Sequence, residues 1–242
     1  MVSQRADIAL VDRGFFTSRA RAQEAIAAGL VSVDGARVRK ASQTLGENVK
    51  IEAQAAHPWA SRGGLKLIAA LDAFALDPCG LFCLDVGAST GGFTDVLLSR
   101  GARHVVAIDV GHDQFDARLK CDPRVTSREG LDARKLSMAD LAEPPAALVC
   151  DVSFISQRLV LANVLSLAAP GAFYVGLVKP QFEVGREKLV KGVVKDAAAL
   201  EQACVDVRAC VEALGWRTLG LIDSPIAGGD GAREFLYAAR HG

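Results

Sequence analysis

The sequence has few aromatic residues and no net charge of either sign. Of 242 residues, 6% are aromatic and 23% are charged, and 28 Lys and Arg balance 28 Asp and Glu. With 50% hydrophobic residues, this composition excludes an intrinsically disordered chain, a collagen-like repeat and a coiled coil. Because nucleic acids are held through their phosphates, a nucleic-acid-binding surface would have to be a local basic patch, balanced by acidic residues elsewhere.

The cysteines lack the spacing of metal ligands. The six cysteines include no CxxC pair, and no histidine lies at the spacing of a zinc ligand, so we expect no metal site. The first ten residues, MVSQRADIAL, reach charged residues too early for a signal peptide. We therefore expect a cytoplasmic protein without disulfides, and we interpret its cysteines as small core residues.

One uncharged run is long enough to cross a membrane. It extends over 20 residues, from Leu159 to Val178, and Pro170 and Gly171 interrupt it. A helical apolar pattern precedes the interruption, and the β-rich string AFYVGLV follows it. This order is typical of a helix and a strand inside an α/β core, so we predict no membrane partner.

The first part of the chain predicts a small α+β domain over residues 1–55. Ser18 is a candidate N-cap, Gly29 a candidate C-cap, and VSVDGARV a hairpin that turns at Asp34 and Gly35. The next segment has no clear period and contains Pro58, so we interpret residues 56–62 as a linker.

Residues 63–242 predict an α/β domain with a mostly parallel, Rossmann-like sheet. A helix, LKLIAALDAFAL, is followed by the strand candidates LFCLDV, HVVAID, ALVCDV and AFYVGLV, which alternate with helical patterns. At the end, WRTLGLIDSP and EFLYAAR flank a glycine-rich tip, which predicts a hairpin that adds an antiparallel last strand.

A glycine-rich turn follows the first predicted strand in LFCLDVGASTGGFTDVLLSRG. Asp109 ends the next strand, 22 residues after Gly87, where a carboxylate can accept both hydroxyls of a ribose. The turn has the pattern GxxxGG instead of GxGxxG. Asp85 precedes the turn, and its carboxylate disfavours a bound pyrophosphate. A cationic adenosyl ligand such as S-adenosylmethionine tolerates that carboxylate, so the turn favours a methyltransferase over a dehydrogenase; a turn that only packs strand against helix remains the alternative.

The same turn contains a GxSxG string centred on Ser89, the pattern of a hydrolase nucleophile elbow. The histidines that follow it are His104, His112 and His241, and none ends a clear late strand with an acid before it. A hydrolase is therefore the weaker interpretation.

Four charged residues fall at the ends of predicted elements. Asp151 follows ALVC, Lys179 follows AFYVGLV, Lys66 lies before the first strand, and Glu234 begins the last. Each has an ordinary structural explanation. Lys66 could be a solvated helix lysine and Asp151 a helix N-cap. Lys179 could be a lysine at a sheet rim and Glu234 a surface strand residue. As a set they would converge on one rim, where α/β proteins bind ligands.

The order of these four residues resembles the Lys-Asp-Lys-Glu tetrad of FtsJ-like ribose 2′-O-methyltransferases. The strings SRGGLKL, DVGASTGGFTD, CDVSFIS, LVKPQFEVGREK and GAREFL resemble the TlyA family of rRNA cytidine 2′-O-methyltransferases, some of which are labelled haemolysins. The amino-terminal string SRARAQEAIAAGLVSVDG resembles a small RNA-binding domain of the S-four fold.

This resemblance implies a metal-free transfer of methyl from S-adenosylmethionine to a ribose 2′-hydroxyl in ribosomal RNA or ribosomal subunits. Lys179 would accept the hydroxyl proton, next to Lys66, and Asp151 and Glu234 would hold the lysines. The family usually has Asn at the position of Asp132. The residues implied to bind the cofactor are Asp85, Gly87, Ala88, Ser89, Gly91, Gly92, Phe93, Asp109 and Asp132.

Positive charge is in modest excess near the amino terminus, with seven Lys and Arg against four acidic residues through residue 42. The resemblance implies that this region binds folded RNA through its backbone and shape, since aromatic residues for stacking are few. The candidate RNA contacts are Arg5, Arg19, Arg21, Lys40 and Arg62. Two other classes remain open: an RNA-binding factor without catalysis, and a membrane-active haemolysin.

Overall fold

The computed structural model describes residues 3–242 and divides the chain into two compact units, one ending at Pro58 and one beginning at Trp59. This division splits the predicted linker, residues 56–62, between the two units. Nε2 of His57 lies 3.0 Å from a carboxylate oxygen of Glu24 in the first unit. The backbone N–H of Ala60 donates to Asp95 in the second unit at 2.8 Å.

The first unit is a small α+β fold whose helices pack on short strands. Its elements are β1 (Gln4–Arg5), α1 (Ala6–Asp12), α2 (Arg19–Ala28), β2 (Val31–Val33), β3 (Ala36–Arg37), β4 (Thr44–Leu45) and β5 (Ile51–Ala53). Ser18 caps α2 by accepting from the backbone of Arg21, and Gly29 ends it at φ 76°. The β2–β3 turn uses positive φ at Asp34 and Gly35, so the predicted caps and hairpin are confirmed.

A buried carboxylate organises the basic residues of this unit. Asp7, on α1, is fully buried and accepts from Arg5 Nε at 3.0 Å, Arg19 Nη2 at 2.9 Å and Gln23 Nε2 at 2.7 Å. The hydrogen bond from Arg5, followed by those from Arg19 and Gln23, holds the pKa of Asp7 well below its usual range although burial opposes this.

The second unit contains the alternating strands and helices of the predicted α/β domain. Its helices are α3 (Gly63–Ala73), α4 (Gly92–Ser99), α5 (Ala117–Lys120), α6 (Arg158–Ser166), α7 (Pro180–Glu183) and α8 (Ala197–Ala213). Its strands are β6 (Phe82–Val86), β7 (His104–Asp109), β8 (Val125–Glu129), β9 (Ala147–Cys150), β10 (Phe173–Val178), β11 (Leu189–Val190), β12 (Val193–Val194), β13 (Trp216–Asp223) and β14 (Phe235–His241).

Seven of these strands form one sheet in the order β13-β14-β10-β9-β6-β7-β8. The five from β10 to β8 are parallel, and β14 is antiparallel to both of its neighbours. The predicted fold class is therefore confirmed. The prediction missed β8, whose sequence VTSRE is largely polar and half-buried because it lies at the sheet edge.

The sheet is buried on both faces. Leu84 and Val86 of β6 join a cluster with α6 and α8, while Cys83 of the same strand joins one with α3 and α4. Successive side chains of a strand point to opposite faces, so a fully buried strand such as β6 must be apolar at nearly every position. The exception in β6 is Asp85.

The long uncharged run forms α6, a turn and β10, as predicted. Across residues 3–242, no helix is both long and apolar enough to cross a bilayer. The interpretation of all cysteines as core residues is wrong for two of them. Cys79 precedes β6 and Cys121 caps α5, and both are exposed because turns and helix ends lie at the surface.

We expect Asp7→Asn to lower the thermal midpoint of the protein by several degrees at pH 7, because it removes the buried charge that Arg5 and Arg19 bind. The folded-state pKa of Asp7 is lowered, so this stabilisation is present above the ordinary aspartate pKa and is lost on acidification. The difference between the two proteins should therefore shrink at pH 3 in thermal unfolding. An equal difference at both pH values would contradict this role for Asp7.

Candidate active site

The glycine turn brings the ends of two neighbouring strands into close approach. Gly87 follows β6 at φ 80°, and a Cβ at this position would lie 2.8 Å from the carbonyl oxygen of Asp151, which follows β9. Ser89 also has positive φ, and Gly91 at φ 92° is the N-cap of α4. Only glycine fits at Gly87, because a side chain there would collide with the Asp151 backbone, so this glycine lets the ends of β6 and β9 approach each other.

Asp109 ties this turn to the end of β7. One carboxylate oxygen accepts from the backbone N–H of Ser89 at 2.8 Å, and the other accepts from Gly111 N–H at 2.7 Å. Each carboxylate oxygen has a second lone pair, so Asp109 keeps acceptor capacity for a ligand.

A cavity of about 510 Å³ lies beside this turn, within the usual size range of small-molecule sites. Its wall includes Gly87, Ser89, Asp109, Asp132 and Asp151, together with apolar residues of β6, β7 and α6. Three carboxylates and one cationic side chain, Arg134, line this cavity. The excess of acidic groups favours a ligand with positive charge and disfavours a polyphosphate.

A fourth acidic residue, Asp85, lies in β6 directly before Val86, which lines the cavity. It is fully buried, and Thr94 Oγ1 donates to it at 2.7 Å. Its other oxygen has no hydrogen-bond partner among the described residues. Burial, which the hydrogen bond from Thr94 only partly offsets, raises the pKa of Asp85 to about 7. A cationic or hydrogen-bond-donating ligand would suit this orphaned oxygen.

The other predicted cofactor residues lie around this turn without lining the cavity. Phe93 and Ala88 belong to the core under α4, and a Cβ on Gly92 would meet Ser61 Oγ.

Asp132 does line the cavity, where Arg134 binds it through two nitrogens. Those hydrogen bonds lower the pKa of Asp132 to about 2, so its carboxylate is ionised at neutral pH.

The four tetrad residues form two short ion pairs. Lys66 Nζ, on α3, lies 2.6 Å from Glu234 Oε2, and Lys179 Nζ lies 2.6 Å from Asp151 Oδ1. Both lysines and Glu234 are buried, whereas the Asp151 side chain keeps 22% of its exposure. An unpaired charge at such burial would cost free energy, so the buried surroundings favour the paired state of both ion pairs.

The sheet register brings these two pairs to the same rim. Val178 of β10 pairs with Phe235 of β14, so Lys179 and Glu234 occupy neighbouring positions just beyond that pair. Asp151 follows β9, which is the other neighbour of β10. Asp151 also lines the cavity, so one acid of the tetrad contacts both Lys179 and the open space.

Two residues in this region were missed by sequence reasoning. Lys179 Nζ donates to Ser153 Oγ at 2.6 Å, and Ser153 lines the cavity. Phe154 also lines it, yet 92% of this side chain is exposed and its backbone has a strained φ of 65°. The available signal was their position, directly after the strand end that carries Asp151.

The predicted RNA contacts differ in their surroundings. Arg5 and Arg19 are half-exposed and bind Asp7. Arg21 Nη2 donates to the carbonyl of His57 at 3.2 Å, while Lys40 and Arg62 are exposed. Four of these five residues are therefore exposed on their respective units, whereas Arg21 is half-buried.

The hydrolase interpretation finds no support at Ser89. Its hydroxyl donates to Gln114 Oε1 at 3.3 Å, and no histidine within residues 3–242 makes a hydrogen bond with it. A nucleophilic serine needs an adjacent base, so the GxSxG string serves only as a turn here.

Comparison with known proteins shows the family to which the chain belongs. The FtsJ-like methyltransferase family model matches residues 59–241, and the S4 domain model matches residues 4–51. The chain is 42% identical over 239 residues to the 16S/23S rRNA (cytidine-2′-O)-methyltransferase TlyA of Mycobacterium tuberculosis, covering 98% of this chain and 89% of that protein. The chain belongs to the TlyA family. The family predicted from the sequence is thus confirmed, and it is a family of methyltransferases.

Other members carry different names. Hemolysin A of Brachyspira hyodysenteriae is 36% identical, with 96% of this chain and 98% of that protein covered. A solved structure named "Putative hemolysin" from Streptococcus thermophilus has a TM-score of 0.79 and 37% identity, covering 100% of this chain and 89% of that one. The methyltransferase family thus includes proteins named as hemolysins.

We expect the stability of the Asp85→Asn variant, relative to that of the native protein, to increase as the pH rises. The folded-state pKa of Asp85 is raised to about 7, so between the ordinary aspartate value and pH 7 the native state keeps a proton that the unfolded chain releases. Stability of the native protein therefore falls across this window, whereas an asparagine carries no such penalty. Urea unfolding at pH 5 and pH 8 measures the difference.

Asp122→Asn is a matched control with the opposite sign, because the hydrogen bonds from Arg124 lower the pKa of Asp122. That substitution should cost more stability at pH 8 than at pH 3. If Asp85→Asn and the native protein show the same pH dependence, the buried Asp85 does not titrate as described.

Proposed function

We propose that this protein transfers a methyl group from S-adenosylmethionine to the ribose 2′-hydroxyl of a cytidine in ribosomal RNA. The observation that carries the proposal is the position of Asp151, which pairs with Lys179 and also lines the cavity beside the glycine turn. A proton acceptor and a cofactor site thereby share one rim of the sheet. The TlyA relatives named as rRNA cytidine 2′-O-methyltransferases support the choice of substrate.

The residues around the cavity fit this cofactor. Asp109 would accept from the ribose hydroxyls, and Gly87, which lines the cavity, would place its backbone against the ligand. Asp132 would face the adenine end, and the unpartnered oxygen of Asp85 suits the amino-acid end. The acidic wall suits a ligand that carries a sulfonium and an ammonium group.

S-adenosylmethionine, when bound, supplies an electrophilic methyl group. The ribose hydroxyl is a weak nucleophile until its proton is removed, and Lys179 Nζ is the group proposed to accept that proton. Only the neutral amine has the lone pair that can accept this proton. Asp151 and Ser153 both fix the position of Nζ, since each lies 2.6 Å from it.

The Lys66–Glu234 pair would act on the substrate side of the same rim. Its ammonium and carboxylate are already paired at 2.6 Å, so they can orient a ribose by hydrogen bonds without a large rearrangement. Phe154 offers an exposed ring at the cavity mouth, which suits stacking on a nucleobase. The S4 unit, with Arg5 and Arg19 held by Asp7, would bind folded RNA.

The direct test is transfer of labelled methyl from S-adenosylmethionine to purified ribosomal subunits and to naked rRNA, followed by mapping of the product. We expect label on the 2′-oxygen of cytidine. Label on a base, or RNA binding without any transfer to either substrate, would overturn the proposal. Leakage of lipid vesicles by the purified protein would favour the hemolysin alternative.

We expect Lys179→Met to reduce the rate of methyl transfer by about 10²- to 10⁴-fold, the usual contribution of a general base. Methionine preserves most of the buried stem and removes only the amine, so affinity for S-adenosylmethionine should stay within a few-fold. Single-turnover methyl transfer and calorimetric titration measure the two quantities.

Lys120→Met is the control, because Lys120 also forms a 2.6 Å ion pair, with Glu129, but lies on α5. It should keep its activity. Near-native turnover of Lys179→Met would rule out Lys179 as the base.

We expect Phe154→Ala to weaken RNA binding by about 1–3 kcal/mol, the contribution of one stacked base. Affinity for S-adenosylmethionine should change little, and Phe154→Trp should retain RNA affinity because its ring also stacks. Filter binding with the rRNA that serves as the methylation substrate measures the change. Equal RNA affinity of the alanine and tryptophan variants would exclude stacking.

A further inference from the structure

A buried carboxylate beside the tetrad has no role in the mechanism above. Glu183 ends α7, four residues after Lys179, and its side chain keeps only 2% of its exposure. It accepts hydrogen bonds from Ser156 Oγ at 2.5 Å, from the backbone N–H of Gln157 at 2.9 Å and from Arg158 Nε at 3.1 Å. Ser156 and Gln157 lie in the connection between β9 and α6, and Arg158 is the first residue of α6.

The strand-end loop, residues 151–158, consists of that connection and the first residue of α6, and it carries the partners of Lys179. It contacts residues 179–183 at three successive points. Lys179 binds Asp151 and Ser153 at the start of the loop, the Phe154 and Phe182 rings lie 5.4 Å apart in the middle, and Glu183 binds residues 156–158 at the end. The carboxylate is therefore the last of three links between the two segments.

The strand-end loop needs such an anchor. Phe154 has φ 65°, a strained conformation for an aromatic residue, and most of its side chain faces solvent, so its own packing cannot hold the backbone there. Gln157 is fixed on the other side, because its amide donates to Leu177 O at 3.3 Å and accepts from Tyr174 Oη at 2.7 Å. Residues 156–158 thus form a rigid base for Ser153 and Phe154.

We propose that Glu183 is a positioning residue that fixes the strand-end loop so that Ser153 holds Lys179 Nζ. This inference depends on the proposed methyl transfer and adds a residue to that same site. Glu183 touches neither the cavity wall nor Lys179 Nζ, so it acts through the loop. A displacement of about 1 Å at a reacting group can cost on the order of 10²-fold in rate.

A purely structural role must be distinguished from this one, because a carboxylate near the start of α6 also stabilises that helix. The distinguishing measurement is a double-mutant cycle with Glu183→Gln and Ser153→Ala. Single-turnover methyl transfer is measured at saturating RNA and S-adenosylmethionine, below the melting temperature of every variant.

We expect Glu183→Gln to lower the rate by about 10- to 100-fold in the native background, but by less than about threefold when Ser153 is already alanine. Cofactor affinity should stay within a few-fold, and Glu183→Asp should recover part of the rate. The same rate factor in both backgrounds, or a loss of thermal stability with an unchanged rate, would overturn the inference.

Two further variants keep the test decisive. If Glu183→Gln does not fold, Ser156→Ala removes one of the three hydrogen bonds and should show the same coupling to Ser153 at smaller amplitude. Asp95→Asn is the matched control, since Asp95 is an equally buried carboxylate that binds a backbone N–H and Arg118. It should lose stability without coupling to Ser153. Absence of transfer by the native protein would instead reject the proposed function itself.

Discussion

The Lys179–Asp151 ion pair joins the ends of two adjacent parallel strands, and the rest of the site is arranged around it. Removing one partner of a fully buried pair typically costs about 3–5 kcal/mol, and here the cost is lower because Asp151 remains partly exposed. That exposure is also what gives the pair access to the cavity. Lys179 Nζ is held from one side by a carboxylate and from another by Ser153, so this nitrogen has a fixed position at the rim.

The second constraint is the accumulation of negative charge around the glycine turn. Asp109, Asp132 and Asp151 line the cavity, and Asp85 lies buried behind it. Repulsion from Asp151 and Asp109 contributes to the raised pKa of Asp85, after the larger effect of burial. Such a wall disfavours a dinucleotide on electrostatic grounds and suits a cationic adenosyl compound. The same Rossmann-like sheet could serve either ligand, so the proposal of S-adenosylmethionine as the cofactor depends on the charges of the site and not on the fold.

The sequence predicted the features that depend on local pattern. Fully apolar strands, the glycine turn and the Ser18 and Gly29 caps each have a short signature, and the motif strings identified the family. Features that depend on tertiary neighbours were missed. The strand β8 is polar because it lies at an edge, and Ser153, Phe154 and Glu183 gain their meaning only from the loop packed against α7. No spacing rule connects Glu183 with Ser156, which lies 27 residues earlier.

The central claim is that Lys179 Nζ faces the methyl group of a cofactor held beside the glycine turn. A crystal structure of the protein with S-adenosylmethionine or its demethylated product tests this most directly. We predict that the ribose lies against Asp109 and that the sulfur lies on the side of the cavity formed by Asp151 and Ser153, with Lys179 Nζ across the remaining gap. A ligand bound elsewhere, or a sulfur pointing away from Asp151, would contradict it.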